Sequence, residues 1–115
     1  MTDRELLELA AKAAGYELVW GDKYKLGDDE IDCTDIPYIR SGQPDEGDVH
    51  WNPLTDDGDA LRLAVACGLV VECSRPSAGE PYKQHTIWLD ETMSNAELTR
   101  RAIVRAAAEI GRSKK

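Results

Sequence analysis

Phenylalanine is absent from this chain of 115 residues, and its seven aromatic rings are three tryptophans and four tyrosines. Each indole buries a large apolar area. Trp20, Trp51 and Trp88 are therefore expected to be the main core-filling aromatics rather than a stacking surface for bases. Histidine is scarce, and His50 and His85 lack the short spacing that paired metal ligands need. Cys33, Cys67 and Cys73 are odd in number and include no CxxC pair, so neither a disulfide framework nor a zinc knuckle is suggested. They read as reduced, mostly buried thiols with no neighbouring base to mark a nucleophile. No apolar run approaches the roughly 20 residues needed to span a bilayer. The opening Met1-Thr2-Asp3-Arg4-Glu5 lacks the basic and then apolar layout of a secretory signal, so a cytoplasmic location without membrane contact is expected. GxSxG, P-loop and dinucleotide fingerprints are missing, and no cofactor is implied.

What is present suits one folded domain. A hydrophobic share of 42% and a charged share of 31% lie outside the low-hydrophobicity regime of disorder, and 115 residues supply one modest core. The net charge of −8 is unevenly spread. Between Asp22 and Asp59 twelve acids face Lys23, Lys25 and Arg40, whereas from Glu91 to Lys115 six bases face three acids. An acidic middle disfavours binding to a phosphate backbone, which requires Lys and Arg to displace counterions. It favours a protein partner with a basic surface.

Thr2 and Glu5 have capping-box spacing, Leu6, Leu7, Ala10, Ala11 and Ala14 recur helically, and Gly15 can take a left-handed stop. The spacing predicts a helix over 3–14. Tyr16 to Trp20 is rich in β-formers and predicts a strand, which can run on to Tyr24. The stretch from Ile31 to Ile39 contains Pro37, which cannot donate to a ladder, so an edge strand or irregular segment is expected. Residues 41–47 read as a loop. Acids crowd the start of a second helix predicted from Thr55 or Asp56 to Cys67, where the helix dipole favours them, and Gly68 supplies its stop. Leu69 to Cys73 and Tyr82 to Leu89 read as two strands of a hairpin. Ser94 and Glu97 repeat the capping-box spacing ahead of an Ala-rich helix to Ile110, with Gly111 ending it before a basic tail, 112–115, that frays.

The expected fold class is α+β, in the order α-β-β-α-β-β-α. A small antiparallel sheet of about four strands packs with three helices in one domain, 1–111. A monomer and a homodimer both fit.

The run from Trp51 to Val65, WNPLTDDGDALRLAV, resembles the signature of small phage and prophage proteins grouped as the phage ABA-sandwich domain family. The opening from Asp3 to Gly15 and the closing helix from Thr99 to Gly111 resemble them too, so the similarity brackets the chain. The resemblance implies a helix-sheet-helix sandwich and a phage or prophage origin. It brings no established activity and no site residues.

Asp56, Asp57 and Asp59 supply oxygen ligands suited to a hard cation such as magnesium or calcium, although the spacing is not that of an EF-hand loop. The competing reading is an acidic helix start capped by Thr55 or Asp56, whose carboxylates are also placed to orient Trp51 and Asn52. The acids Asp28, Asp29, Glu30, Asp32, Asp45, Glu46 and Asp48, with Trp51, form the candidate binding surface. Arg101, Arg105 and Arg112 read as a solvated helix face or as internal neutralisation of the acidic middle. The leading expectation is a non-enzymatic phage accessory protein that occupies a surface on a host or phage protein, in the manner of an inhibitor of a defence or nucleic-acid-handling complex. The alternatives are a metal-assisted hydrolase built on Asp56, Asp57 and Asp59, and a virion structural or assembly protein.

Overall fold

A computed structural model describes residues 2–40, 48–73, 77–80, 83–86 and 93–114. Local sequence chemistry sets the three helices. Helix α1, Asp3–Ala14, starts where the Thr2 hydroxyl accepts the Glu5 amide at 3.1 Å. It ends at Gly15, whose φ of 79° allows the Gly15 and Tyr16 amides to turn back onto the Lys12 and Ala11 carbonyls. Helix α2, Asp57–Cys67, is capped by Asp56 and closed the same way by Gly68. Helix α3, Asn95–Ser113, is capped by Ser94.

Arg101 of α3 meets Asp3 at 3.2 Å, and the Lys114 ammonium donates to the Ala13 carbonyl at 2.9 Å. Residues about 100 apart are thus neighbours at both ends, and α1 and α3 run parallel. Both helices are rich in small buried residues, Ala10, Ala11 and Ala13 on α1 and Ala102, Ala106, Ala107 and Ala108 on α3, all in one core cluster. A Cβ on Gly111 would run into the Leu9 backbone carbonyl, so only glycine permits this approach. Gly111 thus serves a close approach inside α3 rather than ending it. The helix continues to Ser113, and Lys12 holds the Lys114 carbonyl at 2.8 Å, so the tail expected to fray is tied to α1 as far as Lys114.

Among the described residues between α1 and α2 lie five short strands where two were expected: β1 Leu18–Trp20, β2 Lys23–Leu26, β3 Asp29–Asp32, β4 Pro37–Arg40 and β5 Asp48–His50. After α2 come β6 Val70–Glu72, β7 Ser77–Glu80 and β8 Lys83–Thr86, one strand more than expected. Every pairing among the described strands is antiparallel, and the class is α+β with helices flanking strands. The strands do not form one sheet of four. They divide into β1-β4-β5, the isolated hairpin β2-β3, and the meander β6-β7-β8, which packs on α3.

Trp51 and Leu63 fill the core beside the alanine faces, at 2% and 0% exposure. Tyr16 meets the Trp51 ring edge-on at 5.8 Å between centroids. Trp20 is only half-buried: the Arg4 guanidinium lies 4.1 Å above its ring and its indole N–H donates to Glu8 at 3.2 Å. Trp88 lies outside the described residues. No described helix is long and apolar enough to cross a membrane.

Candidate functional site

The start of α2 is the denser of two polar constellations. Asn52 turns the chain out of β5, its amide oxygen accepting from the Leu54 N–H at 3.0 Å and its carbonyl taking the Thr55 and Asp56 amides. Asp56 caps the helix by accepting from the Asp59 N–H at 2.8 Å. Asp59, 8% exposed, reaches back to accept the Asn52 N–H at 3.0 Å and pairs with Arg62 at 2.7 Å. That bond holds the Arg62 guanidinium above its ordinary value. Asp57 points elsewhere, to Arg100 of α3 at 2.6 Å, while the Arg100 Nε donates to the Leu54 carbonyl at 2.9 Å. Each carboxylate thus has structural work: Asp57 is held by Arg100, while Asp56, at 3.9 Å, and Asp59 share Arg62. Among the described residues no three His, Cys, Asp or Glu side chains are grouped to hold a metal ion.

The second constellation is a β arm. Beyond Trp20 the chain continues through Gly21 and Asp22 into β2, turns at Gly27-Asp28, and returns through β3 and residues 33–36 into β4. Gly27 takes a φ of 67°, in the left-handed region that tight two-residue turns demand. The return side has two residues more than the outgoing side. The excess is absorbed at the root, where Gly21 donates to the Ile36 carbonyl and Cys33 to the Asp22 carbonyl at 3.0 and 3.2 Å. A Cβ at Gly21 would strike the Cys33 carbonyl. Asp32 closes β3 by accepting from both the Thr34 hydroxyl, at 2.6 Å, and the Thr34 N–H, at 2.9 Å. These two bonds hold its carboxyl below the ordinary value.

All of residues 22–30 are exposed, and no other described strand pairs with the arm. An isolated two-stranded hairpin is at best marginally stable in water. Pairing of Lys23 with Asp32, Tyr24 with Ile31, Lys25 with Glu30 and Leu26 with Asp29 gives it two unlike faces. One carries Lys23 opposite Asp32 and Lys25 opposite Glu30, opposite charges facing each other across the ladder. The other carries Tyr24, Ile31 and Leu26, with Asp29 opposite Leu26, and Tyr24 and Leu26 are 51% and 68% exposed. Tyr24 also borders a cleft of about 510 Å3 at the arm's root, together with Val19, Trp20 and Tyr38.

These placements revise the candidate surface. Asp28, Asp29 and Glu30 cluster at the exposed tip; Asp32 is engaged by Thr34, and Lys23 and Lys25 lie opposite Asp32 and Glu30, so the arm is not uniformly acidic. Asp45 and Glu46 lie outside the described residues. Asp48 pairs with Arg40 through the β4–β5 ladder. Trp51 does not belong to an accessible binding surface, because it is buried in the core; its indole N–H finds no acceptor there.

Cys67 is half-buried, and desolvation pushes its thiol up; Cys73 is exposed, contrary to the expectation of mostly buried thiols. A further feature escaped the sequence pattern. Leu61, Val65 and Val70 stand exposed on and just after α2, and Leu61 borders an open groove of about 490 Å3 with Ala60, Val71, Ala96 and Ile103. Four-residue spacing on a helix reads as core until the second helical face is known to be occupied, so sequence alone assigns Leu61 and Val65 inward.

No protein family, curated protein or solved structure matches this chain.

Proposed function

We propose that this chain is a non-enzymatic protein-binding module that presents its β arm to a basic surface on another protein. The observation that carries this reading is the arm itself: a hairpin exposed along its length, with acids at its tip and uncovered Tyr24 and Leu26 on one face. A segment that adds so little to the fold's own packing, yet keeps one aromatic ring and a leucine in water, has the composition of an interface with an aromatic centre and a charged rim. The phage-like resemblance of the Trp51–Val65 run and the two outer helices adds a setting. The partner is then a host or phage protein in the bacterial cytoplasm, and occupying its nucleic-acid-handling surface would inhibit it. The metal-assisted hydrolase is disfavoured because Asp57 turns away to Arg100 while Arg62 already lies against Asp56 and Asp59.

The test is parallel capture from host lysate by the wild-type chain and by Asp28→Asn/Asp29→Asn/Glu30→Gln, at low and moderate salt. A partner held by the wild type, weakened by salt and lost by the folded variant supports the reading. Identical partner sets for the two proteins refute it.

A further inference from the structure

The two long edges of the arm differ in charge, and the ladder's hydrogen-bond phase decides which backbone groups each edge offers. A two-residue turn closes on a hydrogen-bonded pair, so Leu26 and Asp29 exchange bonds across the hairpin. Bonded and non-bonded pairs alternate from there, making Tyr24 and Ile31 the next bonded pair and Asp22 and Cys33 the third. The Cys33 N–H to Asp22 carbonyl bond, at 3.2 Å, confirms the phase. Glu30 and Asp32 are therefore the residues of β3 whose N–H and C=O point outward, away from β2. The same geometry turns the backbone of Lys23 and Lys25 outward on the opposite edge.

On β3, then, the two residues whose backbone faces away from β2, Glu30 and Asp32, are both acids, and no other described strand pairs with them; the third acid, Asp29, is bonded to Leu26. We infer that this edge accepts a partner's extended segment as an added antiparallel strand, with Lys or Arg opposite Glu30 and Asp32 and an apolar residue opposite Ile31. The inference rests on the proposed binding role and specifies its mode. Main-chain bonds to Glu30 and Asp32 supply affinity, and alternation of side chains supplies selectivity. The basic residues of the incoming strand fall on the face of the Lys23–Asp32 and Lys25–Glu30 pairs, and add cations where β3 contributes only anions. Its apolar residue falls on the other face, beside Ile31, and extends across the new ladder the apolar row that Ile31 forms with Tyr24. Strand β2 has the matching alternation, Lys-Tyr-Lys-Leu, but a second copy is a poor occupant: each chain carries a net charge of −8, and stacking β2 on β3 makes an open chain of copies rather than a closed dimer.

The experiment titrates the isotope-labelled full chain with three capped seven-residue peptides at low salt, following backbone amide resonances. One alternates Lys and Val, one has the same composition in two blocks, and one is the alternating peptide with N-methyl groups on the amides that would face β3. Strand addition requires the alternating peptide to shift the Glu30 and Asp32 amides and to bind at least tenfold more tightly than the other two. Equal binding of all three overturns strand addition and leaves a charge-only acidic surface, so the proposed role survives. Shifts at Lys23 and Lys25 instead, or self-association of the chain that the peptide displaces, also overturn it. Absence of peptide binding overturns it whether or not lysate capture succeeds, while capture that ignores Asp28, Asp29 and Glu30 removes the proposed role separately.

Discussion

Replacing Asp59 by alanine is expected to destabilise the fold more than any other single change in the acidic run that opens α2. The wild-type carboxylate is 8% exposed and accepts the part-buried Asn52 N–H at 3.0 Å, fixing the turn that delivers the chain from β5 to α2. A hydrogen bond to a charged group contributes about 1.5–3 kcal/mol, and losing it leaves the Asn52 amide without its acceptor. With a domain of this size shifting by about 4 °C per kcal/mol, the expected fall in melting temperature is about 6–12 °C. Asp59→Asn keeps an acceptor oxygen and should lose less. Asp57→Asn breaks only the ion pair to Arg100 from a side chain that is 79% exposed, so about 1 kcal/mol or less is expected. Urea unfolding of the three variants gives the ranking directly. The structural reading of this run is refuted if Asp59→Ala costs less than Asp57→Asn. It is equally refuted if all three neutralisations raise stability in the absence of divalent ions, as relief of clustered repulsion at an empty cation site would do.

Gly111→Ala adds helix propensity worth up to about 1 kcal/mol but drives a methyl into the Leu9 carbonyl; overpacking of about 1–3 kcal/mol or more should win, giving a net loss in a thermal melt. Leu63→Ala, at a fully buried position of α2, should cost about 2–5 kcal/mol in urea unfolding. Thiol labelling at pH 8 should modify exposed Cys73 first and Cys67 last, because burial raises the Cys67 thiol and keeps it protonated. Asp32 has a depressed folded value, so its contribution to the turn at Thr34 is full above the unfolded value and lost as pH falls through the folded one. The Thr34 amide resonance should accordingly titrate with a midpoint below 3.8.

The helices were legible because their signals are local. Thr2, Asp56 and Ser94 cap them within three residues of their own chain, and Gly15 and Gly68 stop two of them through backbone geometry that needs no tertiary partner. Gly111 misled for the converse reason: its role is set by Leu9, about 100 residues away, and a glycine needed for close approach looks the same as one needed for a stop. The strands were harder. Polar residues 22–30 carry no burial period because neither face of the arm is covered, and a search for half-buried alternation passes over a hairpin whose alternation is between charge pairs and exposed apolar groups. Acidity at Asp28, Asp29 and Glu30 was visible at once; that Lys23 and Lys25 oppose two of the arm's acids required the register.

The most direct test of the binding role exchanges residues 23–32 for a two-residue Asn-Gly turn and compares the shortened chain with the wild type in thermal unfolding and in lysate capture. The arm's role in binding rather than in folding requires a melting temperature within a few degrees of the wild type together with loss of the salt-sensitive partner. A shortened chain that fails to fold, or one that folds and captures the same partner equally well, would contradict it.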